Sequence, residues 1–271
     1  VRAVLVIFAV AAVLAGCADD AGDTATPPPP ANAGLRAEVL AESPHDPRAF
    51  TQGLELVDGV LYEGTGLEGR SSIRRTDPAT GEVRASVDLD RDLFGEGITV
   101  VGPTIWQLTW RNGVVIQRDR NTLAELRRVP YTGEGWGLCH DPAADRLIMS
   151  DGSDTLTFRD PRTFAETGRL RTDVLAKVPG TRPDELLNEL ECAHGAVYAN
   201  VWKQDVIARV DVRSGEVTVA DLTAVRARLP EDARKDVDVL NGIAAIPGTD
   251  EFLVTGKLWP RTFRVKLVTT R

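Results

Sequence analysis

This sequence predicts an all-β fold, a five-bladed β-propeller closed by an N-terminal strand, and three observations lead there. From Leu35 onward, short apolar and β-branched runs alternate with turn signals, and no stretch carries the period of a long helix. A lead residue, a glycine or acidic residue and an aliphatic residue recur in order five times: Gln52-Gly53-Leu54, Glu96-Gly97-Ile98, Trp136-Gly137-Leu138, Asn188-Glu189-Leu190 and Asn241-Gly242-Ile243. The steps between lead residues are 44, 40, 52 and 53, which suits four-stranded units in series. The last unit is one strand short, and a spare strand at the start would complete it and close the ring.

Residues 35–40 are that spare strand. The first unit reads as strands at 54–57, 60–63, 71–76 and 82–89, with Asp58-Gly59 as a hairpin turn between the first two. The second unit places strands at 97–101, 104–109, 114–117 and 123–129, and the third at 137–139, 146–150, 156–158 and 164–170. The fourth has 190–192, 196–201, 206–210 and 216–220, and the fifth only 243–246, 252–255 and 263–268. A turn opening on aspartate follows the third strand of four units, at Asp77, Asp119, Asp160 and Asp211. An aspartate there holds its own backbone and a following glycine takes positive φ, so loop chemistry accounts for these residues without catalysis. Insertions lengthen the later repeats at 172–187 and 221–238, the second rich in charge and suited to a short helix or loop over one face.

The ends of the chain read differently. Residues 1–17 form a signal peptide: Arg2, an apolar run to Val13, then Leu14-Ala15-Gly16-Cys17, similar to the lipobox of bacterial lipoproteins, in which Cys17 carries the lipid. An ordinary secretory signal with an incidental cysteine is the alternative, and either one exports the protein. Residues 18–34, with the run Pro27 to Pro30, are a tether. Residues 35–271 are the propeller domain. The expected location is therefore extracytoplasmic, as a membrane-anchored lipoprotein or a secreted monomer, with membrane contact only through the lipid. A net charge of -8 without a basic stripe argues against nucleic acid. Cys139 and Cys192 hold similar places in neighbouring units, where a disulfide and two buried thiols fit equally well.

In such a ring the lead residues Gln52, Glu96, Trp136, Asn188 and Asn241 face one cavity mouth, joined by the second-strand ends Glu63, Trp110, Asp151, Trp202 and Lys257. Aromatic walls, amides, a lysine and carboxylates suit a small amphipathic substrate. Glu96 among aromatic rings would have a raised pKa and so be fitted for acid–base work, unless it only braces backbone amides. Each tryptophan alone could be packing, and Lys257 could be an ion-pair partner. Gln52, Glu96, Asn188 and Asn241 imitate the calcium set of propeller hydrolases with a single anion among them, a weak metal site. Nucleophile elbow, zinc-protease helix and phosphate loop are absent from the sequence. Three readings stay open at this point: an enzyme, a cell-surface propeller that binds peptides or glycans without catalysis, and a calcium-dependent hydrolase.

Ten stretches in order narrow this. Among them are Phe50-Thr51-Gln52-Gly53-Leu54, Tyr62-Glu63-Gly64-Thr65-Gly66, Phe94-Gly95-Glu96-Gly97-Ile98-Thr99, Leu187-Asn188-Glu189-Leu190-Glu191, Tyr198-Ala199-Asn200-Val201-Trp202 and Val254-Thr255-Gly256-Lys257-Leu258-Trp259-Pro260. Together they resemble the plant-type (papaya-type) glutaminyl cyclases and their bacterial relatives. The resemblance runs from about Phe50 to Val268 and implies a propeller that converts N-terminal glutaminyl residues of peptides or proteins to pyroglutamyl with release of ammonia. It places the family's catalytic glutamate on Glu96 and its pocket residues on Phe50, Gln52, Phe94, Trp110, Trp136, Asn188, Trp202 and Lys257. Asn188 is then expected on the substrate amide, and Lys257 on the carbonyl oxygen or on Glu96. No metal and no cofactor is expected.

Overall fold

The structure is a computed structural model and describes residues 34–270. The signal peptide, Cys17 and all but the last residue of the tether lie outside the described residues. The elements follow in chain order, beginning with β1 (Leu35–Pro44). Next come β2 (Thr51–Val57), β3 (Val60–Thr65), β4 (Ser72–Thr76) and β5 (Val83–Asp88), then β6 (Gly95–Val101), β7 (Thr104–Thr109), β8 (Val114–Asp119) and β9 (Glu125–Pro130). β10 (Leu138–Asp141), β11 (Arg146–Met149), β12 (Thr155–Arg159) and β13 (Glu166–Arg171) precede a short helix, α1 (Val174–Lys177), in the first insertion. The chain continues through β14 (Leu187–Ala193), β15 (Ala196–Val201), β16 (Val206–Asp211) and β17 (Val217–Asp221), with α2 (Thr223–Arg226) in the second insertion. It ends with β18 (Leu240–Ala245), β19 (Glu251–Gly256) and β20 (Arg261–Thr269).

Local chemistry fixes the turns. Asp58 and Gly59 join β2 to β3 with φ of 52° and 75°, both positive as a two-residue hairpin turn requires. In the aspartate-opened turns, Asp77 Oδ1 accepts the amides of Ala79 and Thr80 at 2.9 and 3.0 Å, and Asp119, Asp160 and Asp211 repeat the pair of bonds. The expected glycine at positive φ is present as Gly81 and Gly215, whereas Leu123 and Phe164 occupy that conformation in the other two turns, at 63° and 64°. Both side chains are fully buried, so packing offsets the local strain.

The five-bladed β-propeller expected from the sequence is not the architecture found. The strands form four sheets rather than five: β2-β3-β4-β5, β6-β7-β8-β9, β10-β11-β12-β13, and one of eight strands in the order β14-β15-β16-β17-β1-β20-β19-β18. The cause is β1. It runs antiparallel along β20 from Leu35↔Thr269 to Pro44↔Arg261, and its first two residues also pair in parallel with Ala220 and Asp221 of β17. One strand thus fuses two groups that the repeat pattern presents as separate. The eight-stranded sheet nearly closes, because its end strands β14 and β18 lie side by side and Glu189 on β14 accepts the Ile243 amide of β18 at 2.9 Å.

The strands β2, β6, β10, β14 and β18 are neighbours in a circuit about a common axis. Their aliphatic residues Leu54, Ile98, Leu138, Leu190 and Ile243 are all buried. Glycine permits the close approach: a Cβ on Gly97 would stand 2.6 Å from the Trp136 carbonyl oxygen, and one on Gly137 would stand 2.1 Å from that of Asn188. Cys139 and Cys192 form a disulfide between β10 and β14, with Cα atoms 5.4 Å apart, across the boundary of two sheets.

Candidate active site

The repeated lead residue has a structural cause. The ladder register shifts between Thr51 and Gly53 in β2, between Gly95 and Ile98 in β6, and between Leu187 and Leu190 in β14. Each irregularity falls on a lead residue: Gln52, Glu96 or Asn188. A bulge takes a side chain out of the strict alternation and re-aims it. Here the three polar side chains turn into one cavity of about 230 Å³. β18 has the same irregularity at Asn241.

Rings make the walls. Phe50 meets Phe94 edge-on at 6.2 Å, Phe94 meets Trp110 at 5.5 Å, and Trp136 stands perpendicular to Trp202 at 5.4 Å. Lys257 follows β19 at the cavity edge, buried, with Nζ 4.7 Å from the Phe50 ring centre. Glu96 is buried and accepts one hydrogen bond, from Gln52 Nε2 to Oε1 at 2.9 Å. Its Oε2 has no partner, and neither has Asn188 Oδ1. Two buried acceptors left open in a small cavity are groups prepared for donors that a ligand brings.

Burial is the largest influence on Glu96 and holds its pKa well above the ordinary carboxylate range; Lys257 opposes this and Glu134 adds to it. Burial likewise depresses the Lys257 ammonium, with Glu96 acting in the opposite sense. The two groups therefore exchange influence at a distance, without a close ion pair.

The structure gathers Phe50, Gln52, Phe94, Glu96, Trp110, Trp136, Asn188, Trp202 and Lys257 around the one cavity. Three others named from the sequence lie elsewhere. Asn241 sits behind Gln52, donating through Nδ2 to Gln52 Oε1 at 3.2 Å and to the Thr51 carbonyl at 2.9 Å, which turns the Gln52 amide nitrogen toward Glu96. Glu63 lies in a buried cluster with His45, Thr51 and Arg74. Burial would raise its pKa, but His45 and Arg74 pull it well below the usual range. Asp151 caps its own loop, accepting from the amide and hydroxyl of Ser153.

Two residues escaped the sequence reading. Leu67, in the glycine-rich loop after β3, lines the cavity. Glu134 lies behind it and accepts the indole N–H of Trp110 at 2.8 Å and of Trp136 at 3.1 Å on Oε2, while Arg111 donates to its Oε1 at 2.7 Å. The one available signal was an acidic residue two places before a lead tryptophan.

A larger cavity, of about 370 Å³, opens at the far ends of β10 and β14, around Ala144 and Gly195. None of its lining residues has a buried side-chain polar atom without a partner. The smaller cavity is therefore the candidate. Among the described residues, no three His, Cys, Asp or Glu side chains converge as metal ligands.

Comparison with known proteins supplies the family. The family model described as glutamine cyclotransferase matches residues 8–267. A glutaminyl-peptide cyclotransferase of Arabidopsis thaliana is 39% identical over 233 residues, covering 85% of this chain and 71% of the plant protein. The crystal structure of a glutaminyl cyclase from Myxococcus xanthus superposes with a TM-score of 0.76 at 34% identity, covering 88% of this chain and 99% of that one. With the family model spanning nearly the whole chain, the protein belongs to the glutamine cyclotransferase family.

Proposed function

We propose that this protein is a glutaminyl-peptide cyclotransferase of the plant type, which closes N-terminal glutaminyl residues of peptides into pyroglutamyl residues and releases ammonia. The observation that carries the reading is the pair of open acceptors, Glu96 Oε2 and Asn188 Oδ1, in an aromatic cavity of about 230 Å³. That volume takes one glutaminyl side chain folded back on its own amine. The likeness to the Arabidopsis enzyme supports assignment to the plant type.

The reaction joins two groups of one residue, so orientation by the walls supplies much of the acceleration. The substrate's neutral α-amine attacks the side-chain amide carbon, forming the ring C–N bond. Glu96 Oε2 accepts the proton that this nitrogen loses, while Gln52 anchors Oε1. Asn188 Oδ1 accepts an N–H of the carboxamide and fixes its plane. Lys257 faces the carbonyl oxygen as negative charge builds there. The carbon–nitrogen bond to the carboxamide nitrogen then breaks, and Glu96 returns its proton to that nitrogen, which leaves as ammonia. One carboxyl group serves as base and then as acid, and a raised pKa suits it to both tasks near neutrality.

The test is ammonia release from glutaminyl-alanine amide by the wild-type protein and by Glu96→Gln. Turnover in the wild type and a loss of about 10³-fold in the variant, in the range ordinary for a general acid–base group, is expected. Binding of the peptide by folded wild type without ammonia would replace this reading with a non-catalytic peptide receptor.

Export with a lipid on Cys17 belongs to the same reading. The Cys139–Cys192 disulfide supports it, since such bonds persist in oxidising compartments. Labelled palmitate should enter the wild type expressed in a bacterial host and not Cys17→Ser; equal labelling of both would remove the anchor.

A further inference from the structure

A peptide whose first residue fills the cavity must leave it, and the structure offers a route. A second cavity, of about 350 Å³, shares two walls with the first, Phe50 and Leu67. Leu67 is the partition. Its φ is 85°, a conformation rare for a branched side chain. The loop holds it there: the Arg70 amide and the Ser71 hydroxyl donate to its carbonyl oxygen at 3.0 and 2.8 Å, and the Gly66 amide ties the loop to the Phe50 carbonyl at 2.8 Å. Ser71 Oγ also accepts the Gly95 amide at 2.9 Å, next to Glu96. A strained residue fixed at the boundary of a reacting cavity calls for a functional account.

Charge gives the second cavity a polarity. Asp46 is committed to Arg48 and Arg74, and Arg74 also to Glu63. That leaves Arg70 and Asp88, both exposed, as the lining charges without an ion pair among the described residues. The sheet order sets their sequence along the way out. β2 borders the axis, Leu67 follows β3, Arg70 precedes β4, and Asp88 ends β5 at the edge of the sheet. A chain moving outward passes Leu67, then Arg70, and only then Asp88.

We propose that this second cavity is the subsite for the residues that follow the N-terminal glutamine, and that Arg70 makes it favour peptides with a carboxylate side chain at the second or third residue. The inference rests on the cyclase reading above and adds a substrate class to it. At about 3.3 Å per extended residue, two residues reach past the first neighbouring strand, where Arg70 precedes β4, and three reach the second, with strands about 4.8 Å apart.

The experiment compares kcat/KM for three amides, Gln-Ala, Gln-Glu-Glu-Ala and Gln-Lys-Lys-Ala, in wild type and in Arg70→Glu, with melting temperatures to verify folding. The acidic tetrapeptide should lead the basic one by about threefold in wild type, the size ordinary for a solvent-exposed charge pair. The order should reverse in the variant. Equal values for all three in wild type, or an acidic preference that survives Arg70→Glu, would overturn the subsite and leave cyclisation standing. No ammonia from any of them would overturn the cyclase reading, and the subsite with it.

Discussion

At the residue scale the site depends on which atoms are held and which are left open. Gln52, itself oriented by Asn241, occupies Glu96 Oε1, so the base presents a single free oxygen. Because burial raises its pKa, Glu96 gains its charge only well above the ordinary carboxylate range. The acid limb of kcat should therefore lie above that range and vanish with Glu96→Gln. Glu134 acts through two tryptophans and through charge. Glu134→Ala releases both indole N–H groups and should raise KM by about tenfold, as for a lost bond to a charged acceptor, with a smaller change in kcat. Glu134→Gln keeps an acceptor but removes a charge that adds to the effect of burial on Glu96, so the acid limb should move to lower pH. An unmoved limb would reduce Glu134 to packing. Of the nine cavity residues named from the sequence, Gln52, Glu96, Trp136 and Asn188 were legible as repeated lead residues, Trp110, Trp202 and Lys257 as second-strand ends, and Phe50 and Phe94 only through the resemblance to glutaminyl cyclases. Glu134 was not, because its role comes from the meeting of the β7–β8 and β9–β10 loops, which no local pattern records.

At the element scale, the five inner strands were visible as lead-glycine-aliphatic stretches, but their purpose was not. The glycine clears space for the neighbouring strand, and the bulge turns the lead side chain toward the axis. The fourth unit shows what happens without glycine. Glu189 stands in its place and reaches across the axis, its two carboxylate oxygens accepting the amides of Leu54 and Ile243 at 3.2 and 2.9 Å. Gly137→Ala tests the packing argument, since its Cβ would meet backbone atoms of Asn188 and Leu190 that cannot swing aside. Overpacking of this kind costs about 2 kcal/mol or more, which lowers Tm by roughly 6 °C in a domain of this size. Because the atom displaced is the Asn188 carbonyl, kcat should fall as well. A variant with unchanged Tm and kcat would show that the inner ring is looser than its distances imply. Sheet identity was the part least open to sequence reading. Periodicity marks where strands lie, but the fusion of two groups into eight strands hangs on two residues of β1 meeting β17 from the far end of the chain.

At the scale of the whole molecule, the ring concentrates acid at its centre. Glu55, Glu189 and Glu191 face one another there, and burial raises all three, Glu55 to about 7 and the other two well above the ordinary value. Each carboxyl keeps, in the folded protein, a proton that the unfolded chain gives up near pH 4.5. Their contribution to stability therefore falls as pH rises from there through the folded values, by linkage. Glu63 works in the opposite direction. Its pKa is depressed by His45 and Arg74, so its contribution is present above the unfolded value and lost as the solution turns acid. The two effects bracket an optimum. Tm should peak at about pH 5, where Glu63 is charged and the axial carboxyls are still protonated, and decline toward pH 8. Glu191→Gln retains an acceptor for the Ala245 amide and removes one of the ionising groups, so the alkaline decline should become shallower. A Tm that climbs from pH 5 to pH 8 in wild type would mean that the axis takes up charge without cost. Burial would then no longer account for the raised carboxyls at the centre, nor by the same reasoning for the raised pKa on which Glu96 depends.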